Sequence, residues 1–219
     1  MTARWVVVLL SAVALPAAAS AQGLGLGGFA DVYNVQRRLL YAGTVYEQTG
    51  VWYGAAGSLR LGAVRVGVSG LTGTVSGGGS QSPNVQIRST AVTVQVALAP
   101  WVLVGVQAEA RRFDADAGVT LWRMIGGNVR VEPGLGLAGL QGFADVSVLP
   151  ASSVSGGGPS FTMAMQATIG VNYALARSPL VFRLGYRFER YDIASTAGAA
   201  ARYEQYRGII AGAGIHLGR

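Results

Sequence analysis

Between residues 180 and 192 the chain reads LVFRLGYRFERYD, with a large apolar side chain at every second place. Leu180, Phe182, Leu184, Tyr186 and Phe188 alternate with positions that carry Arg183, Arg187 and Glu189. A helix would gather residues three or four apart on one face; a period of two belongs to an extended strand whose faces meet different surroundings. FTMAMQATIGVNYAL, residues 161 to 175, alternates in the same way. Phe161, Met163, Met165, Ala167, Ile169, Val171, Tyr173 and Leu175 share one face, opposite Thr162, Gln166, Thr168, Gly170 and Asn172. This segment exceeds the roughly 9 to 11 residues that a tilted strand needs to cross a bilayer. Phe161 and Tyr173 stand near its two ends, where aromatic girdles are expected.

The pattern repeats along the chain. Strands are predicted over 24–34, 51–61, 63–75, 85–98, 101–111, 117–126, 135–148, 161–175, 180–192 and 203–217. Two of these, 63–75 and 85–98, exchange the polar and apolar faces once, near Ser69 and Ser89, as a β-bulge would produce. The connections alternate in length. Short ones lie near Gly62, at Ala99-Pro100, from Gly126 to Pro133 and from Ala176 to Pro179; longer ones are 35–50, SGGGSQSPN, ASSVSGGGPS and 192–202, with 114–116 as an exception. Short turns on one side and long loops on the other are the habit of outer-membrane barrels. The count is ten strands, with eight as the alternative because 114–135 is poorly patterned.

Composition separates the surroundings that could cause this alternation. Hydrophobic residues make up 51% of the 219 and charged residues only 12%, about half the charge of an ordinary soluble domain. Beyond the N-terminus no run of about 20 residues is free of charge or several glycines, so helical membrane spans are not expected. A soluble exported β-sandwich or lipocalin-like barrel also alternates, but its apolar side chains point inward and its outer face is well charged, commonly with Lys and Glu. Here the polar face is sparse and Gly-rich, and the chain has no Lys. In hydrocarbon a sheet must close on itself to satisfy its backbone. The expected fold is therefore all-β: a closed antiparallel transmembrane β-barrel with lipid outside and a narrow polar lumen inside.

MTARWVVVLLSAVALPAAASAQ carries Arg4, an apolar run, Pro16 and the small-x-small site Ala19-Ser20-Ala21. This is a secretory signal peptide pattern, so 1–21 is expected to be removed and 22–219 to form a single barrel domain in the outer membrane. The absence of cysteine leaves no disulfide framework, thiolate metal site or lipid-anchored Cys. The absence of Lys excludes Schiff-base chemistry and a phosphate-binding P-loop. The formal charge of +7 comes from singly scattered Arg, not from the clustered patch that nucleic-acid binding uses.

On this strand and loop pattern, the signal peptide and the C-terminal segment GAGIHLGR, the chain resembles the small outer-membrane β-barrel family that includes the transmembrane barrel of OmpA and the OmpX and OmpW types. The resemblance implies a C-terminal recognition strand for the barrel-assembly machinery. Gly212, Ile215 and Leu217 fit its spacing, whereas Ala211 departs at the polar position and the chain ends in Gly218-Arg219 instead of an aromatic. No peptidoglycan-binding domain is expected to follow.

Motifs that could carry chemistry are few. GLGLGG, 23–28, has dinucleotide-binding spacing, but no strand precedes it and no helix follows, so it reads as a Gly-rich first strand. DADAG, 114–118, has too few oxygens for a calcium loop and reads as a polar turn. His216, the single histidine, lies near the short-turn end of the last strand. Barrel proteases and lipid A deacylases would, by resemblance, need a His with a Ser or an acidic group at the opposite rim, so no enzyme, cofactor or metal is expected.

The remaining set is the inward charge: Asp31, Arg65, Glu109, Arg111, Asp145, Arg183, Arg187 and Glu189. These are expected to pair across the lumen, since an unpaired interior charge is costly, with a narrow or gated conduit as the alternative. Arg37, Arg38, Arg112, Arg190 and Arg202 are placed near the long-loop rim, where guanidinium groups can hold lipopolysaccharide phosphates or simply be solvated. The expected role is structural or interaction-bearing, with outer-membrane lipids as surroundings and weak passage of small solutes; an anion-preferring channel and a membrane hydrolase are the alternatives.

Overall fold

The structure, a computed structural model, describes residues 24–41, 44–77, 84–115, 118–156, 161–193 and 202–217. The expected signal segment lies outside them, as do 78–83, 157–160 and 194–201 within the expected loops. Ten strands run in order: β1 Leu24–Tyr41, β2 Thr44–Leu61, β3 Val64–Gly77, β4 Val85–Ala99, β5 Val102–Ala115, β6 Gly118–Val131, β7 Leu140–Ser155, β8 Phe161–Ala174, β9 Leu180–Ile193 and β10 Arg202–Leu217. Each pairs antiparallel with its sequence neighbours, and β1 pairs with β10 from Leu26↔Leu217 to Leu40↔Tyr203, which closes the barrel. Closure leaves no strand edge to be satisfied by lipid.

The outward face is a belt of apolar side chains. Leu184 is 57% exposed, Ile169 63% and Val68 57%, and Leu59, Val92, Ile125 and Ile209 join them. On β9 the belt runs from Leu180 to Phe188, roughly 27 Å along the strand, or about 20 Å of depth at a tilt of about 40°. That matches the apolar band of an outer-membrane barrel, about 25 Å tall. Water would not tolerate so continuous an exposed apolar surface; hydrocarbon requires it.

Several strands outrun this belt. Residues 35–50, expected as a loop, instead continue β1 and β2 in register to Tyr41↔Thr44. Likewise β5 extends to Ala115, β6 runs on through 126 to Val131, and β7 starts at Leu140 and continues through 151–155. The connections at the end that holds the start of β1 and the end of β10 are 62–63, 100–101, 132–139 and 175–179. The eight residues of 132–139 are no tighter than the opposite end's connections at 42–43 and 116–117, so the asymmetry between the two ends is one of strand overhang as much as loop length. Short turns face the periplasm in such barrels, and the overhang rises above the outer leaflet.

The overhang also explains the exchanged faces. No bulge exists near Ser69 or Ser89: β3 and β4 pair without a break from Val64↔Val96 to Val75↔Val85. Outward on β4 stand Val96, Val94 and Val92 and then Thr90, Arg88 and Gln86; inward stand Gln95, Thr93 and Ala91 and then Ser89, Ile87 and Val85. What changes near Ser89 is the surroundings, from lipid to water outside and from a polar lumen to an apolar one inside. Strand β9 does the same, with Arg190 and Asp192 outward and Tyr191 and Ile193 inward. Register shifts occur elsewhere, at Ala97/Ala99, Ile125/Gly127 and Phe161/Met163.

Candidate functional site

The lumen is built in three layers, and the alternation of each strand assigns its residues to them. The outermost layer is an apolar plug inside the overhang. Trp52, Tyr206, Tyr191, Trp122 and Phe113 pack with ring centroids 5.2 Å (Trp52–Tyr206), 5.1 Å (Trp122–Tyr191) and 4.5 Å (Phe113–Trp122) apart. Ile87, Val75, Leu149 and Met124 complete it. Sequence reasoning missed this core; its signal was the inverted parity of the strand ends.

Beneath the rings lies a buried ionic layer. Arg111 is 0% exposed, and its guanidinium carbon sits 5.1 Å from the Tyr191 ring centroid and 5.5 Å from that of Tyr206. It donates to Glu189 at 2.5 Å and to Glu109 at 3.1 Å. Arg187 donates to the second oxygen of Glu189 at 2.5 Å, and the Tyr191 hydroxyl donates to Glu189 at 3.1 Å. Glu109 also accepts from Ser89 (2.6 Å) and Gln166 (2.6 Å). Two guanidiniums thus face two carboxylates with their remaining lone pairs occupied, the condition under which buried charge is tolerable.

The third layer is a cavity of about 1100 Å³ that opens toward the short turns. Its β1–β3 wall is made of small inward residues, among them Gly25, Gly27, Ala56, Ser58 and Gly67; that wall leaves the space empty. Arg183, 3.7 Å above the Phe29 ring centroid, pairs with Asp31 at 3.3 Å and with Asn172 at 3.3 Å. Asn128 donates to Asp145 (2.8 Å) and Ser147 (2.8 Å), and Gln95 donates to Asn128. At the mouth Arg65 (2.8 Å) and Arg130 (2.7 Å) share one oxygen of Glu132, and Arg130 also reaches Asp145 at 3.3 Å.

Glu132 lies just beyond β6, outside the spanning strands. Its partial burial works to raise its carboxyl, but the Arg130 and Arg65 guanidiniums outweigh that and hold it down at about 2. Its unfolded value is near 4.5. The stabilisation is therefore complete above about pH 4.5 and is lost as pH falls through 2. Glu132→Gln is expected to remove about 3 kcal/mol at neutral pH. Urea unfolding of both proteins between pH 7 and 2.5 checks this: the difference should persist to pH 5 and shrink below it.

The sequence-derived candidates thus fall at two levels: Glu109, Arg111, Arg187 and Glu189 in the ionic layer, and Asp31, Arg65, Asp145 and Arg183 around the cavity. Of the arginines assigned to the rim, Arg37 points inward instead, bonded to Glu204 at 2.7 Å and to Gln48 at 2.6 Å, because its parity follows Tyr33 and Val35. Arg112 and Arg190 point outward, paired with Asp114 and Asp192 at 2.8 Å each; Arg38 stands 3.7 Å from Glu47. Asp114 is thus held by an arginine, and Asp116 lies outside the described residues. His216 lines the cavity mouth at the short-turn end.

A closed antiparallel barrel, girdled by an apolar belt and filled with paired polar side chains, is an integral β-barrel of the outer membrane. No protein-family model and no curated protein matches the chain. Among solved structures it is similar to the outer-membrane protease OmpT of Escherichia coli, at 9% identity and a TM-score of 0.53 over 90% of this chain and 98% of that one. It is also similar to Neisserial surface protein A (13%, 0.42, over 89% and 99%) and to the translocator domain of the autotransporter NalP of Neisseria meningitidis (12%, 0.47, over 97% and 93%). At these identities the likeness is one of fold.

Proposed function

We propose that this chain is a non-enzymatic outer-membrane barrel of the small OmpA, OmpX and OmpW kind, with a structural or interaction role and a lumen that does not pass solutes freely. The observation that carries this reading is the filled cross-section: the Arg111, Glu109, Glu189 and Arg187 layer lies directly under the Trp52, Tyr206, Tyr191 and Trp122 rings. Continuous strands and charges paired within the layer leave that level no reason to open. The position of His216 at the periplasmic mouth argues against a hydrolase acting at the outer rim.

The proposed surroundings follow from the outward faces. Lipid meets the belt; above it the exposed arginines, with Arg88 opposite Arg112 across β4 and β5, offer bidentate donors to lipopolysaccharide phosphates. Ile215 and Leu217 of β10 stand outward and exposed beside β1, available to the barrel-assembly machinery. In planar bilayers the purified barrel is expected to give no steady conductance even at high protein load. The competing reading, an anion-preferring channel, is favoured by one observation, the arginine excess around the cavity; it requires steady anion-selective steps that disappear or change selectivity on Arg183→Ala. Absence of turnover on lipid A and peptide substrates tests the non-enzymatic part.

A further inference from the structure

We infer that Arg123, with Arg88 and Arg112 beside it, forms a fixed site on the outer face of β4, β5 and β6 for a phosphate monoester of an outer-leaflet lipid, the chemistry that lipid A carries. This rests on the proposed lipopolysaccharide surroundings and goes beyond them by assigning one place, one stoichiometry and one kind of headgroup. The observation that carries it is Arg123. Its neighbours Trp122 and Met124 are buried in the lumen, so Arg123 stands outward, and it is exposed. The outward places on either side of it along β6 are apolar: Ile125 and Val129 toward the periplasm, Leu121 and Val119 toward the outer rim. Arg123 makes no hydrogen bond or ion pair with the described residues. A cation on the outer face of a barrel becomes more costly the deeper it sits toward hydrocarbon, and lipid phosphate is the counter-charge available at that boundary.

The register brings two more guanidiniums to the same place. Arg88 on β4 is the direct Cα partner of Arg112 on β5. Arg123 is the partner of Ala110, one outward place below Arg112. Side chains so related stand about 5 Å apart when opposed and about 7 to 8 Å when diagonal, and like charges at such positions repel. Among the described residues, Asp114 is the one carboxylate on the outward faces of these three strands. Arg112 holds it through Nε at 2.8 and 3.0 Å, while Arg88 reaches the neutral Gln86 at 3.2 Å. Three cations against one anion leave two positive charges. A phosphate monoester near double ionisation balances them and a singly charged phosphodiester does not; guanidinium forks suit its oxygens. Below the arginines the outer face of β5 falls to the small residues Ala108 and Ala110, with Val92 on β4 and Ile125 on β6 flanking Ala108. That leaves a shallow channel in which an acyl chain can lie beneath its headgroup.

The test is native mass spectrometry of the full barrel, folded in octyl glucoside, with equal concentrations of lipid A, dephosphorylated lipid A or phosphatidylglycerol. One lipid A per barrel is expected, retained at least tenfold better than either of the others. Arg88→Gln combined with Arg123→Gln is expected to lower that retention at least tenfold, and Arg123→Gln alone about threefold to tenfold. Arg177→Gln, exposed in the turn after β8 at the opposite end, should leave it unchanged. Heat-modifiable migration on SDS gels verifies the folding of each variant. Equal retention of lipid A by wild type and the double variant overturns this site but leaves the wider proposal, lipopolysaccharide around the exposed arginines, standing. Equal retention of lipid A and its dephosphorylated form overturns both. Phosphatidylglycerol retained as well as lipid A overturns the monoester assignment.

Discussion

Replacing Arg111 by Met is expected to destabilise the folded barrel by about 3 to 5 kcal/mol, the largest effect of any single substitution in the lumen. The guanidinium is 0% exposed and bonded to Glu109 and Glu189, and Glu189 is itself 0% exposed. Methionine fills much of the volume but leaves two carboxylates facing the single remaining cation, Arg187. The penalty is that of an uncompensated buried charge, so it should be relieved when the charge is removed as well. Arg111→Met combined with Glu109→Gln should recover most of the loss, because it leaves Arg187 paired with Glu189 in a layer of no net charge. Equilibrium urea unfolding in lipid vesicles, followed by tryptophan fluorescence, measures both. Equal stability of the single and double variants would show that packing against the rings, and not charge, is what Arg111 supplies.

The second large effect lies on the outer face. Leu184→Arg is expected to cost about 2 to 4 kcal/mol, the penalty of a cation facing the hydrocarbon midplane. Ser76→Arg, also outward but on the overhang of β3, is expected to change stability by no more than about 0.5 kcal/mol. Both positions lie on the exposed parity of their strands, so only the medium outside differs. The same unfolding experiment reads both.

Much of this architecture is legible from residues alone, because a period of two writes the strand, its faces and its register at once. The alternation of 161–175 and 180–192 suffices for β8 and β9, and the inward parity of Asp31, Glu109, Arg183 and Glu189 follows from it. The overhang is less legible for a physical reason. Residues 35–50 carry polar side chains such as Gln36, Arg38, Glu47 and Thr49 on the water-facing parity, which resembles a loop as long as lipid is assumed to be the only outer medium. The inversion at Ser69 and Ser89 is the clue: an unbroken ladder crossing from lipid into water exchanges its faces as surely as a bulge does. Partner choice was not legible, since Arg111 could pair with any inward carboxylate until the closure of β1 on β10 fixed which strands face one another. The Arg88–Arg112 opposition depends on the register of β4 against β5, which two-residue periodicity leaves open.

The account rests on lipid touching Leu184 while water touches Arg190, two outward places on one strand. The chain has no cysteine, so single nitroxide labels can be set at 182, 184, 186, 190 and 192 in liposome-embedded protein and challenged with oxygen and with a water-soluble nickel chelate. Labels at 182, 184 and 186 should be relaxed by oxygen and spared by nickel, and those at 190 and 192 the reverse. Nickel reaching 184 as readily as 190 contradicts it.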